Sequence, residues 1–527
     1  MPQTTIPLYP TATGRGWAQT IGASGGDSQL INALFQVGAN PVTSEKIAYI
    51  QKRPGSTTSD SYATGIIVIT YNGSSMRPYA TATALYNNTT AIGTIGGFPV
   101  INNYTVAEGV AGSQEVYAFV DQSNNAYYVW ENAISSNFPT FSGDTHTNTV
   151  IDNIASTTGL YPGQIITGTG IQAGTRIATI TSATAITTTI ATTASATITI
   201  TKEAVAKIID ADFPSDAVSM AYLDGRFFAG ATSGRIYQSA LNDPSSWAAS
   251  EYLTADYGGD DLAFIFKQGA YIVAAGTGNT IQYFYNAGNA FGSVLSAQEE
   301  LTITNLKLLC SKMEIDGESY VLVGTSSSMT NLYKLTGANQ YTRVSDDFWG
   351  NIICTNSMTS LASAVLGKKT FIVLKGGSNG NVIYDPAANQ FSMFDTVLSS
   401  SSGGKFTKSG QTTTFIWAVG NTWQDSTVAY TMTIQTEPKV LNGGRGFTVN
   451  AVTLLADTQA SGTTALLTSK DDTANYVSKG SFTMTANQKV VRRCGFYDNS
   501  CSFRLTNADN TGWRGQAIVV DWEPAVT

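Results

Sequence analysis

The sequence predicts an all-β protein: a β-propeller, a small inserted β module and a C-terminal β-sandwich. Three observations predict it. Charged residues are only 13% of the chain, whereas glycine supplies 50 of its 527 residues and aromatics 10%; this suits short strands and tight turns, not long amphipathic helices. Apolar runs of strand length alternate with Gly, Asn and Asp at hairpin spacing. At ~40–50 residues per blade, the strand-rich stretches amount to roughly six blades, give or take one or two.

Residues 1–55 hold few regular patterns and read as an N-terminal strap crossing other elements. The first part of the propeller spans 56–135, with strand runs at Gly65–Tyr71, Val116–Val120 and Ala126–Trp130; Asn72-Gly73 and Ser123-Asn124-Asn125 supply turns. Composition then shifts. From Thr158 to Thr201 there is no acidic residue and Arg176 is the only basic one before the segment's end. Period-two alternation in Arg176–Ile180 and Thr197–Thr201 argues for strands over disorder, so 136–202 reads as a β module inserted in a propeller loop and projecting outward.

The propeller resumes over 203–440. Asp224-Gly225 is expected to form a hairpin turn, because glycine takes a positive φ at little steric cost. Ser233-Gly234 and Thr277-Gly278-Asn279 punctuate later strands, Trp247 suits a wedge between blades, and Asn381–Pro386 with Asn389–Phe394 reads as a hairpin. Pro438 and Gly443-Gly444-Arg445-Gly446 mark a boundary, and 441–527 carries the strands of a sandwich, among them Phe447–Leu455 and Gln516–Trp522.

The segment 213–289 also carries a family likeness. Tyr222-Leu223-Asp224-Gly225-Arg226-Phe227-Phe228 is followed by Ser239 with Leu241-Asn242-Asp243 and Trp247, then Thr254-Ala255-Asp256 with Asp260-Asp261-Leu262. It closes with Gly278, Thr280–Asn286 and Gly288. This order resembles the tail nozzle, or packaged-DNA stabilisation, proteins of short-tailed bacteriophages, with Gln282 where an acidic residue is common. Asp27–Ala33 leading to Ala48–Gly55, and Arg492–Phe496 followed by Ser502–Leu505, fit the same pattern near the two ends. The module's Gly159-Leu160 with Gly163-Gln164, and Thr167–Thr175, resemble a small module recurring in phage structural proteins.

The resemblance implies a structural, non-enzymatic protein without cofactor or metal. It implies a ring, a hexamer, below a portal adaptor ring, extending a channel for double-stranded DNA and supporting tail fibres or spikes, with contact to the host surface also open. The place would be the virion tail, after assembly in the host cytoplasm. Asp260, Asp261, Glu299 and Glu300 are the candidates for channel lining. Lys52 and Arg53 are candidates for a subunit contact, against a solvated turn fixed by Pro54.

Charge bears on that reading. The chain carries 29 Lys and Arg against 37 Asp and Glu, a net charge of −8. Proteins that grip DNA phosphates need a basic surface, and this balance suits a lumen that repels its cargo, or serves solubility alone. Enzymatic chemistry has few candidates. His146 is the sole histidine, so Ser-His-Asp catalysis and histidine-based metal sites would both depend on it; in a polar segment it reads as a solvated loop residue. The adjacent acids Asp260-Asp261, Glu299-Glu300, Asp346-Asp347 and Asp471-Asp472 would point to opposite faces of a strand and read as turns. Ser239–Trp247 only superficially resembles the Asp-box of sialidase-like propellers; a phage-associated propeller that binds or cleaves host glycans is the alternative function.

Cys310, Cys354, Cys494 and Cys501 are too few for a disulfide framework and lack zinc spacing, so buried free thiols are expected, with a Cys494–Cys501 bridge the lesser alternative. Met1–Pro7 has no signal-peptide pattern and no apolar run reaches membrane-spanning length, so a soluble protein is expected.

Overall fold

A computed structural model describes residues 2–8, 29–31, 33–39, 46–52, 56–58, 78–80, 83–87, 90–97, 107–111, 114–130, 139–255, 261–278, 280–298, 303–304, 306–310, 312–315, 318–326, 329–337, 340–366, 369–376, 380–394, 416–417, 421–423, 431–436, 439–459, 461–469, 476–497, 500–509 and 513–525. The expected strand Gly65–Tyr71 and turn Asn72-Gly73 lie outside them.

The protein is an all-β propeller joined to a β-sandwich. Seven small antiparallel sheets make up the propeller among the described residues, within the range the sequence suggested. In chain order after the closing sheet they span 78–94, 107–130, 217–254, 262–304, 307–343 and 358–394. The closing sheet pairs Ser56–Thr58 with Asn421–Trp423, which pairs in turn with Ile416–Trp417, so it draws strands from both ends of the propeller.

Alternation along each strand holds the sheets together. In Gln114–Val120, Val116, Ala118 and Val120 pack with Met220, Phe227 and Trp247 of the next sheet, while Tyr117 and Phe119 face Leu85 and Ile92 of the preceding one. Phe228 and Ala221 meet Ile265 and Ile272; Phe264, Phe266 and Tyr283 turn the other way to Val321 and Val323. Strand residues of opposite parity point to opposite faces, so a run apolar at every position is a strand buried on both faces. Trp247 fills the expected inter-sheet wedge, edge-on to Phe213 at 4.9 Å, its indole N–H donating to the Pro244 carbonyl.

The hairpins follow the turn chemistry. Asp224 and Gly225 take φ 50° and 83° between Leu223 and Arg226, which face each other in register. Asn124 (φ 61°) and Asn389 (φ 52°) turn the hairpins at 121–125 and 385–390. Among the described residues one helix, Asp347–Thr355, interrupts the otherwise all-β fold. Asp346 caps it, its carboxylate accepting from the Trp349 N–H at 3.0 Å, and Asp347 pairs with Arg343. The Asp346-Asp347 pair is therefore a helix start, not a solvated turn.

The inserted module has its own core, with Ile151, Ile154, Ile166, Ile177 and Ile186 buried together. Its boundary is not a loop at 202. The strand Ser195–Lys207 pairs with Thr140–His146 inside the module, then runs on until Ala206 and Lys207 pair with Tyr128 and Tyr127 of the propeller. Trp130 stacks on Tyr161 at 4.9 Å, and the Tyr128 hydroxyl donates to the Pro162 carbonyl. At Gly163 (φ +85°) a Cβ would stand 1.8 Å from the Lys207 carbonyl oxygen. Module and sheet are one continuous piece of β-structure.

The sandwich corrects the reading of residues 1–55 as a strap. Gln3–Pro7 pairs with Arg514–Pro524; Ala33–Ala39 pairs with Lys46–Lys52, and that strand also pairs with Arg514–Pro524. Phe447–Ala456 and Lys489–Tyr497 complete this sheet. Ile6, Leu8 and Ile50 are buried in the same core as Val452, Phe503, Leu505 and Ile518. The facing sheet contains Met432–Gln435, Ser502–Asn507, Thr463–Ser469 and Val477–Thr483. It also fuses with the seventh propeller sheet through Gln29–Ile31, whose Ile31 pairs in parallel with Met393 while Gln29, Leu30 and Ile31 pair antiparallel with Gln435, Ile434 and Thr433.

Candidate functional site

Of the residues singled out for channel or subunit contact, Arg53, Asp260, Glu299 and Glu300 lie outside the described residues. Asp261 is exposed at the start of the 262–304 sheet, where its carbonyl accepts from the Thr277 N–H at 2.8 Å. Lys52 differs from both readings of it. Its side chain is 5% exposed, and its ammonium donates to the Asn507 carbonyl at 3.1 Å, the Asn507 Oδ1 at 2.9 Å and the Asp509 carbonyl at 2.5 Å. Asn507 Nδ2 donates to the Thr463 carbonyl, and the Trp513 indole N–H to Thr464 Oγ1. A buried ammonium needs such acceptors, and here it ties an N-terminal strand to a C-terminal hairpin within one chain.

His146 ends the strand Thr140–His146 and is exposed, its Nε2 2.7 Å from Asp152 Oδ1. Ser195 stands opposite in register, but no hydrogen bond joins it to His146 among the described residues. Asp144, across from Asp152, accepts from Thr197 Oγ1 and Asn153 Nδ2; those donors hold its carboxyl below the usual range. These polar groups satisfy one another on the module's surface. No group of three or more His, Cys, Asp or Glu able to hold a metal occurs among the described residues.

The four cysteines form no disulfide; Cys310, Cys494 and Cys501 are buried, as expected, and Cys354 is half-buried. Burial pushes the thiols of Cys494 and Cys501 up to about 11 and about 12, which leaves them protonated and unreactive near neutral pH. The Ser239–Trp247 segment is structural: Ser239 Oγ accepts from the Phe227 N–H, and Asp243 accepts from Ser245.

Two exposed surfaces stand out instead. The first lies at one end of the 217–254 and 262–304 sheets. There Asn286 Nδ2 donates to Asp224 Oδ2 at 3.0 Å, Asn242 N–H to the Gly225 carbonyl at 2.7 Å, and Gln238 Nε2 to Glu251 at 2.8 Å and to the Gly292 carbonyl at 3.4 Å. These bonds gather Leu241 (60% exposed), Tyr285 (38%) and Phe291 (94%) beside the carboxylates. The second surface is a corner of the sandwich, where the strand Val477–Thr483 carries Val477, 59% exposed, and the strand Lys489–Tyr497 carries the exposed Arg492 and Arg493, with the Lys479 ammonium near Gly495. There Val449 pairs with Gly495 but Ala451 with Arg492, so the 489–497 strand carries an extra residue, with Arg493 at φ 62°. Such a bulge re-aims side chains; Arg492 and Arg493, neighbours that would otherwise face opposite sides, are both exposed.

Sequence reading missed both surfaces as units. Asp224, Asn242 and Asn286 could be recognised as turn residues, but not that they meet.

No known family's sequence profile matches the chain, and no curated protein does. Among solved structures it is similar to BamB from Moraxella catarrhalis (8% identity, TM-score 0.33, covering 71% of this chain and 96% of that one). It is also similar to the WD40 β-propeller domain of Doa1 (10%, 0.31, 70% and 96%) and to an exo-β-1,3-galactanase from Phanerochaete chrysosporium (9%, 0.26, 85% and 100%).

Proposed function

We propose that the chain is a structural tail nozzle protein of a short-tailed phage. In this reading copies form a ring, a hexamer, below the portal adaptor; the ring extends the DNA channel, retains packaged DNA, conducts it during ejection and carries fibres or spikes in the virion tail. One observation carries the proposal. Asp224, Gly225, Leu241, Asn242, Asn286 and Gly288, residues of the ordered pattern that resembles the nozzle family, come together at one end of two adjacent sheets through the Asn286–Asp224 and Asn242–Gly225 hydrogen bonds. A pattern scattered over more than sixty residues that converges on one surface behaves as a unit.

In this proposal the protein is not an enzyme. The described polar clusters satisfy one another, and the net charge of −8 favours a lumen along which DNA slides, because few cations are present to exchange for phosphate counterions. Electron microscopy of the purified protein should show closed rings with a central bore, and binding to double-stranded DNA at low salt should be weak. A monomer that hydrolyses sialosides or other glycans would sink the reading. A continuous basic stripe along the bore, with salt-sensitive DNA affinity, would overturn the sliding mechanism alone.

A further inference from the structure

We infer that the two exposed surfaces are the two halves of a single head-to-tail contact between copies of this chain; the inference rests on the ring reading and names its interface. The first half is apolar with an acidic rim: Phe291, Leu241 and Tyr285 beside Asp224 and beside Glu251, whose carboxylate also lies 3.9 Å from the Arg226 guanidinium. The second is basic with an apolar member: Arg492, Arg493 and Lys479 beside Val477. Each has what the other lacks.

Three observations favour a second copy as the occupant. The molecule is acidic overall, so a basic corner finds its complement on another copy. Neither arginine has an ion-pair partner in its own chain among the described residues, both are exposed, and the backbone holds Arg493 at a φ that non-glycine residues rarely take. Placement is the third. The arginines lie on the sandwich, in the sheet that faces the one continued from the seventh propeller sheet through Gln29–Ile31, whereas the acidic surface lies on the fourth and fifth propeller sheets, so the two patches belong to different parts of the fold. The described residues therefore leave the two arginines without an acidic partner in their own chain, and a contact between two unlike patches propagates from copy to copy, making a ring where the rotation closes.

The apolar members supply what charge alone does not. Exposed charge pairs are screened by salt, whereas burying Phe291 and Val477 removes apolar surface from water. A lone aromatic at 94% exposure, on a loop turned by Gly288 (φ +68°) and Gly292 (φ +69°), is explained by a partner that covers it.

The test uses two reversed full-length proteins. One carries Arg492→Glu and Arg493→Glu; the other carries Asp224→Lys and Glu251→Lys. Sedimentation velocity should show each alone as a monomer at a concentration about tenfold above that at which the unmodified protein assembles. Mixed in equal amounts they should assemble again, because reversed corner then meets reversed patch and the unaltered halves still match. Recovery on mixing shows that both variants are folded. Rings that form equally well from either variant alone would overturn the interface and leave the ring reading standing. An unmodified protein that stays monomeric would overturn both. Failure of the mixture to recover, with each variant keeping the melting temperature of the original, would also overturn the pairing. So would a corner reversal that abolishes oligonucleotide binding while rings persist, since it would assign the arginines to a nucleic acid.

Discussion

The propeller and the sandwich solve one problem in opposite ways. A propeller sheet is made from consecutive hairpins: Leu223 and Arg226 pair across a two-residue turn. The sandwich sheet is made from the two ends of the chain, the Trp522 indole N–H reaching Thr4 Oγ1 at 3.0 Å across a separation of 518 residues. Local pairing makes each sheet nearly self-sufficient and leaves its stability to its neighbours' faces. Distant pairing makes the sandwich dependent on a few short strands from far away.

Removing residues 1–8 tests that contrast most severely. It deletes the strand beside Arg514–Pro524 and the buried Ile6 and Leu8, so the sandwich should lose about 4–6 kcal/mol. Denaturant unfolding should then split into two transitions, with the propeller's midpoint nearly unmoved; one shared transition shifted as a whole would show that the two regions unfold as one. Gly163→Ala probes the joint between module and propeller. The new Cβ would meet the Lys207 carbonyl, at a cost of about 3 kcal/mol or more, and hydrogen exchange should rise along 203–207 before it rises in the sandwich.

Lys375 sharpens the comparison from the propeller side. It is 3% exposed, and its ammonium has no hydrogen-bond partner among the described residues, in contrast to the three acceptors around Lys52. Burial alone pushes its pKa down to about 7. The unfolded chain therefore binds more protons than the folded one between about pH 7 and the ordinary lysine range, and stability rises with pH across that window. Lys375→Met should stabilise the protein by about 1–4 kcal/mol at pH 7, with the gain shrinking as pH rises; a gain independent of pH would exclude the titration. The smallest effect belongs to a single turn. Asp224→Ala should cost about 1 kcal/mol, because it removes the carboxylate that accepts from Asn286 and alanine tolerates φ 50° less well than aspartate, while Asp224→Gly should recover the backbone part and keep only the loss of that exposed hydrogen bond in a thermal melt.

What the sequence disclosed follows the same division. The hairpins at Asp224-Gly225, Ser123–Asn125 and 381–394 could be read because the residues that set the turn also set the pairing. The place of Ala33–Ala39 and Lys46–Lys52 in the sandwich could not, because they pair with each other and the next strand beside Lys46–Lys52 lies near position 514. The helix at Asp347–Thr355 did leave a signal: Asp346 as cap, with Trp349 and Ile353 one turn apart and both buried. Runs of adjacent acids drew attention to Asp260, Asp261, Glu299 and Glu300, yet adjacency carries no information about where loops converge. Lys52 read as a turn cation because its acceptors, on Asn507 and Asp509, are far off in the chain.

Lys52 and Asn507 are separated by 455 residues, and that distance is also an interval of time. A ribosome adding about 5–20 residues per second needs roughly 20–90 s to pass from one to the other. For that interval Ile6, Leu34 and Ile50, all buried at the end, have no finished sheet to join, while the 217–254 and 262–304 sheets can close as they emerge. The nascent chain thus carries its stickiest strands longest, and those strands are where a holding chaperone should be found on stalled chains.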